Sequence, residues 1–289
     1  MVTPLGNVVK VKPDLSRKNR LIQDFKASRL NSAATVQERQ VLPRFADHGR
    51  DLATLSALGS SVGVFVLDFK HAFMTVPLSD KEMAYNTSIV PESIRRSRPP
   101  IDAEEPETGT ILVWRVLGFG GHTNPLVYSR VATFATRSGQ ALLQHDTAVS
   151  SIAHGRIQLY VDDPAVVLAG SDQEQREAID VLVLWWLLLG IPLSWRKGWY
   201  GSASAGHTWI GVRFQARDGV ARLSLPTEFF GHVAVTCRKF ANSAVKTATL
   251  KEAQELCGRA GRLGQVVLDA RPFVNSLYGA LAGSLVSAE

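Results

Sequence analysis

Hydrophobic and polar positions along this chain fall into short runs of strand length and longer stretches with helical periodicity. Residues 62–67, VGVFVL, are an unbroken apolar run, the pattern of a strand covered on both faces. Residues 157–169, IQLYVDDPAVVLA, hold two further apolar runs with two aspartates between them, which predicts two strands joined by a turn. In NPLVYSRVATFATRSGQALL, Asn124 stands where a helix cap is favoured, and Pro125 lies in the first turn, where proline is tolerated. Val127, Val131, Phe134 and Ala135 then share one face, the expected core side of that helix. A second helix is predicted over 173–190; its apolar run VLVLWWLLLGI (181–191) is too short to span a bilayer and reads as buried. Residues 91–110 are polar and proline-rich, switch from basic to acidic, and are expected to form an exposed loop or hairpin tip. From Pro226 onward the periodicity is helical, with no strong strand and no internal repeat anywhere. This order predicts an α+β body followed by a helical C-terminal subdomain.

Composition narrows the picture little. Of 289 residues, 45% are hydrophobic and 20% charged, which is ordinary for a folded chain and argues against extensive disorder. A formal charge of +6 suits a polyanionic partner without requiring one. Residues 6–31 concentrate that charge in Lys10, Lys12, Arg17, Lys18, Arg20, Lys26 and Arg29. Cys237 and Cys257 lack paired spacing, which excludes a disulfide framework or a cysteine-rich zinc site and fits a reducing compartment. The first residues, MVTPLGNVVKVKPD, lack the apolar core of a signal peptide. The expectation is an intracellular protein, cytoplasmic or nuclear, neither secreted nor embedded in a membrane.

The adjacent aspartates pose a chemical question. Two carboxylates side by side repel, and one of them usually gives up its charge unless a cation is near. Upstream, the run VGVFVL leads into Asp68, a carboxylate presented from the end of a rigid strand. If that strand lies beside the predicted hairpin, Asp68, Asp162 and Asp163 converge. Oxygen ligands without nearby cysteine favour Mg²⁺, with Mn²⁺ as the alternative, over zinc. Two such ions roughly 4 Å apart can activate an attacking oxygen and stabilise a leaving one in phosphoryl transfer. A charged turn facing solvent is the plain alternative.

These residues sit in a set of motifs that resembles the reverse transcriptases of retroelements, in particular retrotransposons. YVDD (160–163) looks like the family's Y-x-D-D hairpin, and LDFKHAF (67–73) like its first catalytic motif. LGFGGHTNPLVYSRV (117–131) resembles the motif beneath the incoming nucleotide, and GIPLSWRKGWYG (190–201) the lysine-bearing fourth motif. HTWIGVRF (207–214) resembles the hairpin that grips the primer end, RLIQDFKASRLN (20–31) the fingers signature, and RPFVNSLYGAL (271–281) the thumb region. The motifs follow the family's order and cover nearly the whole chain.

The resemblance implies a right-hand polymerase fold: fingers, a ferredoxin-like palm with an antiparallel sheet, and a short helical thumb. Fingers and palm would occupy residues 1–225, with finger parts at about 1–60 and 80–115, and the thumb residues 226–289. The implied reaction is RNA-directed DNA synthesis on an RNA or DNA template, with a primer and dNTPs as substrates. Asp68, Asp162 and Asp163 would hold two Mg²⁺ ions, and Lys197 would act as general acid toward pyrophosphate. Lys12 and Arg20 would grip the triphosphate, Phe119 and Gly120 would form the nucleotide floor, and Trp209, Ile210 and Gly211 would seat the primer. Phe73 would collide with a ribose 2′-hydroxyl and so favour deoxynucleotides. Each position also has a plain reading: a core phenylalanine, a solvated basic face, an ordinary turn or hairpin.

Four departures bear on the subgroup: Gly118 where many relatives have proline, His71 where many have a polar or acidic residue, a longer fingers signature, and Pro164 after the aspartates. Pro164 requires a ladder position that tolerates a missing N–H. The 63 residues after Pro226 (289 minus 226) are poor in acids, so an RNase H domain is not expected. The chain is expected to be a polymerase module or a fragment of a longer polyprotein. Two rival readings stand: an RNA-dependent RNA polymerase, and a decayed or domesticated retroelement product that only binds nucleic acid.

Overall fold

The computed structural model describes residues 2–11, 15–90, 111–144, 154–241 and 249–286. Lys12 and the proline-rich stretch 91–110 lie outside the described residues. The chain divides into two compact units, one of 1–41, 69–137 and 186–194, the other of 42–68, 138–185 and 195–289. It is a mixed α+β fold with several helices, as the residue pattern predicts; strand pairing is mainly antiparallel, with one parallel pairing in the first unit.

The first unit is built on strands β1 (Thr3–Val11), β2 (Arg17–Gln23), β4 (Thr87–Ile89) and β5 (Ile111–Val113), ordered β2-β1-β4-β5. β1 and β2 form a long antiparallel ribbon in which Lys10 faces Lys18 and Val8 faces Arg20. The base of the ribbon is buried and polar: Gln23 and Ser88 are fully buried, and the Trp114 indole N–H donates to the Ser88 hydroxyl at 3.1 Å. Two short helical turns, α1 (Leu30–Ala33) and α3 (Asp80–Met83), complete the connections, with α3 closed by a Ser79–Glu82 capping box.

In the second unit, β3 (Val62–Val66) lies centrally in an antiparallel sheet ordered β6-β7-β3-β8, with β6 (His154–Tyr160), β7 (Asp163–Ala169) and β8 (Trp199–Ser202). The predicted two-sided burial of β3 holds: Val64 is fully buried and Phe65, on the other face, nearly so. β9 (His207–Trp209), β10 (Val212–Arg217) and β11 (Val220–Ser224) form a second antiparallel sheet. Helix α2 (Phe45–Ser56), within the stretch expected for the fingers, packs here with Phe45, Leu52 and Leu55 against Val62, Val64, Val167, Trp209 and Phe214. After β11 the described residues are helical: α6 (Thr227–Ala241), α7 (Leu250–Val266) and α8 (Arg271–Val286).

Two predicted helices form but turn differently from the periodicity. α4 (Asn124–Gln144) buries Tyr128, Ala132, Ala135 and Thr136, whereas Val131 and Phe134 are 41% and 62% exposed. The buried stripe is rotated by about one residue, because alanines admit close approach where valine and phenylalanine would hold the helix away. Asn124 is no cap either. It is the first helical residue, and its side-chain amide donates to Gly118 O at 2.8 Å, bracing the preceding loop. In the second unit's part of α4, Gln140 satisfies the edge of β6, donating to Gly155 O and accepting from Ile157 N, both at 2.7 Å. In α5 (Asp172–Leu188) Gln175, Ala178, Leu182 and Trp186 form the buried stripe; Leu184, Leu187 and Leu188 are exposed, so the apolar run is not a buried helix throughout. No helix among the described residues is long and apolar enough to cross a membrane.

Candidate active site

The three aspartates belong to the second unit and emerge from neighbouring strands. β6 and β7 pair from His154–Ala169 to Tyr160–Asp163, leaving Val161 and Asp162 as a two-residue turn. Val161 adopts φ 58°, which a β-branched side chain disfavours and which such hairpins ordinarily give to glycine or asparagine. Strain of this kind persists only where the surroundings enforce it. Here β7 is clamped between β6 and β3, and nothing in the sequence marks the valine for this role. Pro164 follows at a position that suits it: Leu67 N donates to Pro164 O at 3.2 Å on the last rung beside β3, where the return bond is dispensable.

That rung carries the chain out to Asp68 beside the hairpin. Asp68 is 9% exposed. Its carboxylate and that of Asp163 interact by charge and through a hydrogen bond, and the Asp163 carboxyl is pushed up to about 6. Burial is the largest cause, then the charges of Asp162 and Asp68, with Lys197 opposing them. Lys197 ends a 3₁₀ turn, Trp195–Lys197, immediately before β8, and its ammonium pairs with Asp68 Oδ2.

The donor chemistry fits a divalent cation. Hard carboxylates gather at one sheet rim, where burial first, and then the charges of Asp162 and Asp68, raise the Asp163 carboxyl, so a cation there would relieve the crowding. The carboxylates are gathered without forming a ligand cage: among the described residues, no group of three or more His, Cys, Asp or Glu side chains is arranged to hold a metal.

Trp209 underlies this rim. It is 1% exposed, so its ring cannot touch a primer, and its indole N–H donates to Asp163 O at 3.1 Å. Trp209→Phe removes that donor and leaves a small cavity in a fully buried site; the expected cost is about 2 kcal/mol in urea denaturation. Ile210 and Gly211 form the hairpin turn above it, at φ 42° and 76°. Arg262 of α7, which the sequence reading missed, holds this turn by donating from Nη2 to Ile210 O, with its guanidinium 6.0 Å from the Phe45 ring centre. Around it opens a cleft of about 680 Å³, lined by Arg44, Tyr160, Ile210, Gly258, Arg262 and Tyr278 among others. The sequence reading also missed a buried histidine pair below the sheet, His48 and His207, with Nε2 atoms 2.9 Å apart. Histidines so far apart in the chain carry no pairwise signal.

In the first unit, Arg20, Phe73 and Phe119 come together. The Phe73 ring meets Phe119 edge-on at 5.5 Å and Tyr128 at 5.6 Å, and the Arg20 guanidinium lies 5.6 Å from the Phe119 ring centre. Gly120 is held at φ 124°, and a Cβ there would lie 1.9 Å from Gln23 O. Its close backbone approach is therefore to the end of β2, where Gln23 N donates to Phe119 O at 2.8 Å. Gly118 is accounted for similarly, since a side chain would strike the buried Gln23 amide. Lys12 lies outside the described residues.

No curated protein matches this chain. A family model described as "Reverse transcriptase (RNA-dependent DNA polymerase)" matches residues 10–214, which span the fingers signature, the YVDD hairpin and the 207–214 hairpin. That match covers well over half of the 289 residues, and the chain belongs to the reverse transcriptase family, the RNA-directed DNA polymerases among the nucleotidyltransferases.

Proposed function

We propose that this chain is the polymerase module of a retrotransposon-type reverse transcriptase and adds dNTPs to a primer 3′ end by a two-metal reaction. The observation that carries the reading is the rim at the ends of β3 and the β6–β7 turn, where Asp68 and Asp163 interact directly and Asp162 adds to the charge. Family membership adds the template, primer and nucleotide substrates and a general use of divalent ions. In this reading fingers and palm run to residue 225 in a right-hand arrangement, and 226–289 form the thumb.

Asp68, Asp162 and Asp163 would hold the ions, Mg²⁺ by preference. When bound, such ions lower the cost of deprotonating the primer 3′-hydroxyl and neutralise charge on the departing pyrophosphate. The chain's own work is positioning. Strands β3 and β7 fix the carboxylates, and Trp209 braces Asp163 from below. Arg20 would face the triphosphate, joined by Lys12, with Phe119 as floor and Gly120 shaping it. The Ile210–Gly211 turn would seat the primer end, with Arg262 fixing its height. Lys197 would give a proton to pyrophosphate as it leaves. The cleft beside Tyr160 and the basic β1–β2 ribbon would hold nucleic acid through its phosphates.

Primer extension on an RNA template with Mg²⁺ tests the reading; incorporation of dNTPs is expected, and rNTP incorporation alone would overturn it. Phe73→Val is expected to raise rNTP use relative to dNTP by on the order of 10-fold, since it opens space beside Phe119 and Tyr128. Competition assays with paired nucleotides read this ratio, and an unchanged ratio retires Phe73 as the sugar filter.

A further inference from the structure

We propose that Lys197 is a resident counter-cation for Asp68, which a divalent ion displaces on binding. The inference rests on the reading that Asp68 is a metal ligand, and it adds an apo-state role to the lysine. The pairing is dictated by strand register. β3 and β8 pair antiparallel with Val66 opposite Trp199, and continuing that register two residues outward sets Lys197 opposite Asp68. The lysine's root is held: Gly198 N donates to Trp195 O at 3.0 Å, and a Cβ on Gly198 would lie 3.2 Å from both Leu67 Cδ1 and Trp195 O.

The two partners differ in freedom. The Asp68 side chain is 13% exposed and anchored at a strand end, whereas Lys197 is 57% exposed. The ammonium can return to water at small cost, and the carboxylate cannot. An ion pair with one partner largely in water is weak, on the order of 1 kcal/mol, so a divalent ion at the same oxygens outcompetes this one. Without Lys197, Asp68 would lose this partner while lying beside the Asp163 carboxyl, a costlier arrangement for a buried charge. The pair thus holds the aspartates together before metal arrives, and metal arrival frees the ammonium, so the proposed proton donor becomes available only on a loaded site.

The test is Mn²⁺ binding to the full chain without nucleotide or nucleic acid, followed by electron paramagnetic resonance of free Mn²⁺. Lys197→Met keeps the stem and is expected to bind about fivefold tighter than wild type, the upper range for an exposed pair. Arg196→Met removes another exposed charge from the same turn and is expected to stay within about twofold of wild type, the scale of a screened surface charge. Equal gains in both variants overturn the proposal, since the effect is then general electrostatics. Asp68→Asn is expected to lose the site; wild-type affinity in that variant removes the metal reading and this inference with it. As an independent readout, reductive ¹³C-methylation labels the lysines; the Lys197 resonance, assigned by its absence from Lys197→Met, is expected to move on Mg²⁺ addition in wild type but not in Asp68→Asn. A resonance that stays still at saturating Mg²⁺ overturns the displacement.

Discussion

Asp162→Asn is expected to reduce dNTP incorporation by on the order of 10³-fold or more in primer extension with Mg²⁺, a loss of about 4 kcal/mol of transition-state stabilisation. The substitution preserves shape and removes one negative charge from the tip of the β6–β7 turn. Structural damage would also lower activity, so a second measurement separates the causes. Asp162 is among the charges that raise the Asp163 carboxyl to about 6, which marks it as an unfavourable neighbour for the fold. Neutralising it relieves that repulsion, and Asp162→Asn is expected to melt no lower than wild type. Lost activity with retained or raised melting temperature is the signature of a residue kept for chemistry at the expense of stability. Equal incorporation by both proteins would remove Asp162 from the site.

The second large effect concerns His48 and His207. Both are almost completely buried, with His48 against Trp209 and Phe214 and His207 stacked between Trp199 and Phe214. Two nitrogens 2.9 Å apart require one donor and one acceptor, burial keeps both rings neutral, and neither Nδ1 has a partner among the described residues. Burial lowers His48 well below 6.5, helped by His207; burial and the Arg213 charge lower His207 to about 4. The unfolded chain takes up protons below pH 6.5 that the folded chain refuses. Stability from the pair is therefore complete above 6.5 and is lost as pH falls toward 4, by about 3 kcal/mol from His207 alone.

Asp163 works in the opposite direction. Its raised carboxyl takes up a proton in the folded state as pH falls through 6, which favours the fold down to the ordinary carboxylate range. The two contributions overlap in pH, so the informative quantity is a difference. Urea denaturation at several pH values, comparing wild type with His48→Leu/His207→Phe, isolates the histidines because Asp163 is common to both. Removing both rings together avoids stranding one. A steeper acid loss in wild type is expected, and parallel curves would show that the pair carries no proton linkage. Proton resonances of the two imidazoles offer a check within wild type: neither should titrate near pH 6.

Along the chain, features that depend on near neighbours were legible. VGVFVL became the central strand β3, the runs around YVDD became β6 and β7, HTWIGVRF became a hairpin, and the segment after Pro226 became helices. Strand length, alternation and turn residues act over a few positions, and the sequence contains all of them. The candidate carboxylates were legible for the same reason, since an aspartate at a strand end or in a tight turn has a place before the fold is known.

What the tertiary structure decided involves surfaces that meet from distant parts of the chain. A period of 3.6 residues gives α4 a stripe without saying whether Ala132 or Phe134 lies inward; close packing chose the alanines. Asn124, a cap by type, turned to the Gly118 carbonyl because the loop before the helix folds back upon it. The His48–His207 contact, the Arg262 hold on Ile210 and the brace from Trp209 to Asp163 join residues 159, 52 and 46 positions apart. The Lys197–Asp68 pair needed the β3–β8 register, which no local pattern contains. Local preference selects the elements of this protein; which groups share a buried contact is settled by cooperative packing, where each surface depends on the others already being in place.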